Sequence, residues 1–596
     1  MSKELMKKLF LSLVVSVSLV VAEPNDYFFT YNNQNCREYI MRVNAALHSA
    51  LLQPAYDISA ENNGEATVEN HYGPAHTKSL EHDATTGLLT PAGVENFQQL
   101  LTAIASTKQT DYNAIVRFPG ASKFVNPQGS NLLTLQGMPN NLIPMPLFPL
   151  LSTPQAAALL IELYLQAICR SVNFSDYGTG AGTDVDTLHG GSITTNAAAI
   201  LTALRSAYEG PKLNTLVTPD LLFKIEGDNA LIGPYVSQFK YCNVPIEFQF
   251  NYTFVPYVDR AQNREFGVSW SDFVAIQNGL IPRPYLPSDF NGQVYITCGR
   301  DCATLVHSDG PGEIFFYTVN SLIYYKFPFS LTLPYYNSSM PNEAAFVDMS
   351  TADLYSALFD VSSEALKHAW AHKWRGQRVL RPDAFAGLVH QAKVTATNPF
   401  NLDQSLFATY ITPAGPVNLL DWVKSYNTIQ ETDAVQDPLT PPLAETYLLS
   451  QMFPDGSPVH PSYPSGHATV SGACITIMKA FFKDDELIKN HLTPKKPDPA
   501  DATQLVDLSV DEGSDLLTVD GELNKLAVNV AMGRDFAGIH YRMDAYEGIL
   551  VGERLALHYL QDHARSYNEQ LFAGFELTTF QGERVRVTAD SIEIIG

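Results

Sequence analysis

Apolar residues recur at three- and four-residue spacing over residues 154–172 (PQAAALLIELYLQAICRSV) and 193–208 (ITTNAAAILTALRSAY), with Thr153 and Thr194 near the two starts. That period gathers apolar side chains on one face of a helix, and threonine is a favoured cap, so both stretches predict buried helices. The same spacing predicts helices over 352–374, 442–452, 467–482, 523–534 and 545–562. A Gly/Asp/Thr-rich loop, 177–191, separates the first pair. Residues 244–255 and 313–336 are rich in Phe, Tyr and Ile and predict strands or extended packing segments. Alternating apolar and polar residues over 575–595, around Gly582, predict a small hairpin. The charged, proline-bearing stretch 483–517 predicts a surface excursion. Together the pattern reads as a mainly α protein with minor β-hairpins. Residues 23–340 form a mostly helical region with long loops, and 341–596 a C-terminal helical bundle.

With 596 residues, 45% hydrophobic and 17% charged, the chain can bury one very large core or two to three ordinary ones, which excludes disorder as its main state. Lys3, Lys7 and Lys8 precede an apolar run over 9–21, and Val20 and Ala22 occupy the small-residue positions of a cleavage site. This layout predicts a signal peptide over 1–22 and a mature chain from near Glu23, secreted to the extracellular space or cell wall. The run is too short to span a bilayer, which takes roughly 20 residues. The most apolar later stretch, 142–151, is interrupted by Pro144, Pro146 and Pro149, so no membrane association is expected after cleavage. The six cysteines Cys36, Cys169, Cys242, Cys298, Cys302 and Cys474 form an even set, which in an exported chain predicts one or two disulfides of undetermined pairing. Cys298 and Cys302 lack the second Cys/His pair of a metal site, leaving a disulfide or two free thiols. A net charge of −24 excludes a nucleic-acid partner. It also means that any anion site must concentrate positive charge locally.

Three segments carry candidate chemistry: Lys373-Trp-Arg-Gly-Gln-Arg-Val-Leu-Arg381-Pro382, His460-Pro-Ser-Tyr-Pro464-Ser465-Gly466-His467, and Gly533-Arg534-Asp-Phe-Ala-Gly-Ile-His540-Tyr-Arg-Met-Asp544. Pro464 can open a helix whose first turn holds Ser465, Gly466 and His467, where backbone N–H groups lack intrahelical partners and attract an oxyanion. Glycine lets the backbone approach that anion, and Ser465 adds a hydroxyl. Lys373 and Arg381, eight residues apart, would share a face of a continuous helix, and Arg534 supplies a third cation. Three cations and helix-end amides suit a tetrahedral oxyanion of charge −2 to −3. His467 and His540 offer a nucleophile, a metal ligand or a general acid/base, and Asp544, one helical turn beyond His540, can fix its tautomer. Alone, each cation is an ordinary surface charge and PSGH an ordinary capped helix start. Their joint order and spacing carry the reading.

Taken jointly these residues resemble the vanadium haloperoxidase and acid phosphatase superfamily, over about residues 370–544. The resemblance implies an all-α fold of two four-helix bundles. It implies vanadate held by Lys373, Arg381, Ser465, Gly466 and Arg534, with His540 as the metal ligand and His467 as the acid/base. Lys373 then polarises the bound peroxide. Trp370 is similar to fungal and some brown-algal enzymes and His460 to algal ones, which puts both in the halide pocket, with Asp544 behind the metal ligand and His460 beside the chemistry. The implied function is oxidation of bromide or iodide by hydrogen peroxide to hypohalous acid, which halogenates organic acceptors. A homo-oligomer is implied too, and some algal relatives hold a structural calcium ion. The rival is a secreted acid phosphatase in which His540 attacks phosphorus and His467 protonates the leaving group. Chain size and the wide gaps between segments disfavour it, and Gly533 stands where many of the phosphatases have serine. A catalytically silent structural protein would have lost at least one of the seven site residues.

Overall fold

Helices dominate the computed structural model, which describes residues 66–596 apart from 107, 135, 140–142, 247–251, 262–263, 287–288 and 435–445. The signal segment, Cys36 and the helix start expected at 442 lie outside the described residues. In the first part of the chain the helices are α1 (Pro91–Ser106), α2 (Gln109–Asn113), α3 (Pro154–Cys169), α4 (Ile193–Ala203), α5 (Trp270–Gln277), α6 (Gly299–Leu305) and α7 (Glu313–Tyr324). They continue as α8 (Thr351–Trp370), α9 (Pro382–Thr395), α10 (Leu419–Ala434), α11 (Gly466–Phe481), α12 (Val519–Phe536) and α13 (Arg542–Ser566).

The expected helices at 154 and 193 form where their caps allow. Thr153 accepts a hydrogen bond from the Ala156 amide, with Pro154 at the first helical position. At the second, Ser192 is the cap, accepting from the Thr195 amide at 2.9 Å, while Thr194 is buried inside the helix. Residues 313–324, expected as extended, are helical: Ile314, Phe315, Thr318, Val319 and Leu322 recur at helical spacing and bury one face, which outweighs the β preference of the aromatics. Residues 446–452, expected as helix, are not helical: Gln451 instead exchanges backbone hydrogen bonds with Phe266 at 2.8 and 2.9 Å.

Five small antiparallel sheets complete the described structure. The 483–517 stretch carries a hairpin of β7 (Lys495–Asp498) and β8 (Asp501–Asp507). It follows β1 (Val244–Ile246), β2 (Tyr252–Phe254), β3 (Val258–Ala261), β4 (Phe290–Val294), β5 (Thr409–Thr412) and β6 (Gly415–Asn418). The C-terminal hairpin gains a third strand, giving the order β11 (Ile592–Ile594), β10 (Arg584–Val587), β9 (Phe575–Thr578). Cys169, Cys242, Cys302 and Cys474 are free, buried thiols, so the Cys298–Cys302 bridge does not form. Cys298 instead precedes α6 as its N-cap, and Cys302 sits in that short helix against the core.

Packing is continuous across the change of region expected near residue 340: α12 lies against α6 and α3, and their side chains share one core. α11 is buried on nearly every side and packs on α8, α12 and α13. Its contact with α13 is backbone to backbone: a Cβ at Gly472 would lie 2.0 Å from the Ile549 carbonyl oxygen, and one at Gly552 2.0 Å from that of Thr469. This packing fixes the N-terminus of α11 beside the start of α13, where the candidate residues converge. No helix among the described residues is long and apolar enough to cross a membrane.

Candidate active site

Lys373 and Arg381 meet by a different route from the continuous helix expected of them. α8 gives way after Trp370 to a π-helical turn over Ala371–Gln377, Gly376 leaves helical geometry, and Arg378 adopts a left-handed φ of 48°. Arg381 then caps the start of α9. The break, a common mark of functional sites in helices, turns both cations onto the loop that precedes α11. Lys373 Nζ donates to the carbonyls of Pro461 (2.8 Å) and Ser462 (2.5 Å). Arg381 Nε donates to the His460 carbonyl (2.9 Å), and Nη1 donates to that of Ile539 (2.7 Å) and lies 3.0 Å from His540 Nε2.

Ser465 caps α11, so the Gly466 and His467 amides fall in the unpaired first turn. A Cβ at Gly466 would press on the Trp370 ring at 3.3 Å, so glycine keeps this helix end open to close approach. Arg534, in the last turn of α12, donates from Nη1 to the Val306 carbonyl (2.5 Å) and lies over the Phe453 ring at 5.6 Å. Its Nε is buried with no hydrogen-bond partner.

His540 follows α12 and faces Asp544 in the first turn of α13, with Nδ1 2.7 Å from Asp544 Oδ2. That oxygen also accepts from Ser462 Oγ and, at 3.3 Å, from the Tyr541 amide. A carboxylate on Nδ1 leaves Nε2 with the lone pair a metal ligand needs. Burial, then Arg381 and Lys373, hold the His540 imidazole well below its ordinary value, hence neutral. Burial lowers the cations too: Arg381 to about 9, Arg534 to about 10, and Lys373 well below its usual range with Arg381 adding to the effect.

A cavity of about 200 Å³ opens onto this nest. Trp370, His460, Gly466, His467, Arg534 and His540 line its inner end, and Ile314, Phe315, Leu366, Val470 and Val530 its apolar walls. The Trp370 and His460 rings pack at 4.9 Å between centroids. His467 Nε2 lies 2.9 Å from Asp309 Oδ1, and its ring keeps 28% of its surface exposed.

Every candidate from the sequence therefore gathers here: Trp370, Lys373, Arg381, His460, Ser465, Gly466, His467, Arg534, His540 and Asp544. Two partners escaped sequence reading. Asp309 lies 158 positions before His467 in a plain loop, and Ser462 faces Asp544 across the fold. Neither carries a motif, although Ser462 sits inside a segment already singled out.

Residues and geometry fit a tetrahedral oxyanion: an unpartnered buried guanidinium nitrogen, a glycine-lined helix end, and an imidazole nitrogen with its lone pair. Buried positive charge that the protein leaves without a counter-ion, beside a metal-competent imidazole, defines the class: an oxyanion-binding enzyme. Among the described residues no group of three or more His, Cys, Asp or Glu is gathered to hold a metal ion.

Comparison with known proteins names the family. The model of the VCPO second helical-bundle domain matches residues 422–570. The chain is 31% identical over 484 residues to the vanadium-dependent bromoperoxidase of Corallina officinalis, covering 76% of this chain and 77% of that one. It is 30% identical over 490 residues to that of Ascophyllum nodosum, covering 78% of each. The homohexameric structure of the second vanadate-dependent bromoperoxidase from Ascophyllum nodosum superposes with a TM-score of 0.81 at 25% identity, over 96% of this chain and 94% of that one. The chain belongs to the vanadium-dependent bromoperoxidase family.

Proposed function

We propose that this protein is a secreted, vanadate-dependent haloperoxidase that oxidises bromide or iodide with hydrogen peroxide, the hypohalous product halogenating organic acceptors. The observation that carries the reading is the set of buried cations Lys373, Arg381 and Arg534, without carboxylate partners, around a neutral His540. Vanadate, when bound, supplies Lewis-acid activation of peroxide without changing oxidation state.

The chain supplies charge, position and protons. Lys373, Arg381 and Arg534, with Ser465 Oγ and the Gly466 amide, would neutralise and orient the oxyanion, and His540 Nε2 would be the ligand to its metal. Asp544 fixes the His540 tautomer, and Ser462 and the Tyr541 amide hold that carboxylate in place. His467 borders the cavity and moves protons to and from peroxide. Burial and then Arg534 favour its neutral form, able to accept a proton, while Asp309 opposes them. Trp370 and His460 form the halide wall, and the apolar rim suits an uncharged organic acceptor. Export rests on the N-terminal pattern, and homo-oligomerisation on the hexameric relative.

The test is bromination of a phenolic acceptor by protein stripped of metal and then given vanadate, phosphate or neither. Activity restored by vanadate alone and blocked by phosphate is expected; hydrolysis of a phosphate ester without bromination would make the phosphatase the correct reading. His540→Ala abolishes vanadate retention, whereas His467→Ala keeps vanadate and loses about 10²–10⁴-fold in turnover. Equal vanadate affinity in the two variants overturns the assigned roles.

A further inference from the structure

We propose that Lys78, far from the signature segments in sequence, is a positioning residue for the oxyanion cradle: with Lys373 it clamps the loop 455–462 at both ends. The inference rests on the reading of that cradle as an oxyanion site.

The segment around Lys78 runs antiparallel to the strand-like stretch that delivers Arg381. Ala75 bridges Val379, the His76 amide donates to the Arg378 carbonyl (2.9 Å), and the Leu380 amide to that of Pro74 (3.4 Å). Lys78 is 4% exposed, and its ammonium donates to two carbonyls of one loop, those of Asp455 (2.5 Å) and Ser457. Lys373 does the same at the far end, on Pro461 and Ser462. Between the two contacted stretches of the loop in sequence comes His460, whose carbonyl accepts from Arg381 Nε and whose ring lines the cavity.

Asp383, two residues beyond Arg381, closes the frame. Its Oδ1 accepts from Ser457 Oγ (2.9 Å) and its Oδ2 from Gln277 Nε2 (3.0 Å). Gly456, at a φ of +63°, has Asp383 Oδ2 at 3.5 Å and Lys78 Nζ at 3.7 Å from the place its Cβ would take. Lys78 serves both carbonyls, so the two lose a donor together when its ammonium is removed. A shift of the loop moves the Pro461, Ser462 and His460 carbonyls, and Lys373 and Arg381 move with them. Lys78 thus acts on the bound anion through residues that touch it, without touching it itself.

The test compares two buried lysines. Lys479, twelve residues beyond His467 on α11 and about 18 Å along the axis, is equally buried and pairs with Asp520 and Asn524. Lys78→Met and Lys479→Met should both lower the melting temperature. Only Lys78→Met should weaken binding of orthovanadate and phosphate, measured by equilibrium dialysis of metal-stripped protein, by about 10–100-fold, the usual effect of losing a partner behind a ligand. Bromide kcat/KM should fall with it. Affinities within about two-fold of wild type in Lys78→Met overturn the proposal, as does an equal loss in Lys479→Met. Should Lys78→Met fail to fold, Ser457→Ala decides: a few-fold weaker oxyanion binding is expected, and unchanged binding overturns the clamp. Wild-type protein that binds neither oxyanion refutes the proposed function instead.

Discussion

Arg542 and Arg381 are both buried guanidinium groups, one behind the site and one in it, and they differ in whether a carboxylate meets them. Arg542 on α13 is forked onto Glu162 of α3, with Nε 2.8 Å from Oε2. Burial pulls its proton affinity down, but Glu162 more than offsets that and holds it above the ordinary value. Arg300 is likewise raised against burial by Glu265, which it shares with Arg170. Arg381, Lys373 and Arg534 donate to backbone carbonyls instead, and burial lowers all three. Asp544, whose charge reaches Lys373 and Arg381, is bonded to His540, Ser462 and Tyr541 rather than to either cation. The guanidinium groups behind the site carry their counter-charge, whereas the three cations of the nest leave that place open.

The contrast breaks first at Glu162. Glu162→Gln strands Arg542 without a counter-ion and should remove about 3–5 kcal/mol of stability in denaturant unfolding. A loss below about 1 kcal/mol would mean that the pair is not what neutralises Arg542. The next largest effect belongs to the cradle. Orthovanadate at a hundred times its Kd should stabilise the wild type by about 2.7 kcal/mol. Arg534→Met, whose side chain gives up one carbonyl bond and an unpartnered Nε, should cost about 1 kcal/mol in anion-free protein yet abolish that increment. An increment that survives in Arg534→Met removes Arg534 from the cradle.

The two kinds of charge were unequally legible in the sequence. Lys373, Arg381, Ser465, Gly466, Arg534, His540 and Asp544 could be read together because chemistry ties them to short, fixed spacings. Their convergence was legible, but its means was not: a π-turn and a left-handed Arg378 replace the continuous helix, and neither leaves a periodic signal. Glu162 and Asp309 were invisible for the opposite reason, since each meets its partner across more than 150 positions of sequence. The helices of the bundle followed from their period. Residues 313–324 were misread because aromatics favour strands locally while burial of one face settles the matter globally. Residues 446–452 were misread because pairing with Phe266 cannot be seen from either segment alone.

Histidines divide as the cations do, and this division gives the smallest of the predicted effects. Burial keeps His540 neutral with Arg381 and Lys373 of the cradle adding to it, whereas at His82 and His368, each held down to about 4, and at His372, held to about 3, burial in the fold is the main cause. His368 Nδ1 pairs with the Glu364 carbonyl at 3.0 Å. Its folded-state value lies below the unfolded 6.5, so between pH 6.5 and 4 the unfolded chain binds a proton that the fold refuses. Its contribution is therefore intact above pH 6.5 and is lost as pH falls, at about 1.4 kcal/mol per pH unit. Asp520, pushed up to about 7 by burial, acts in the opposite sense over the same range, so the total slope mixes both. His368→Gln isolates the single term. Glutamine can still donate to the Glu364 carbonyl but does not titrate, so stability measured by urea unfolding at pH 6.5, 5.5 and 4.5 should fall less steeply in the variant, by about 1.4 kcal/mol per unit. Parallel slopes in variant and wild type would mean that His368 takes up its proton without unfolding, and that burial in α8 does not hold its imidazole neutral.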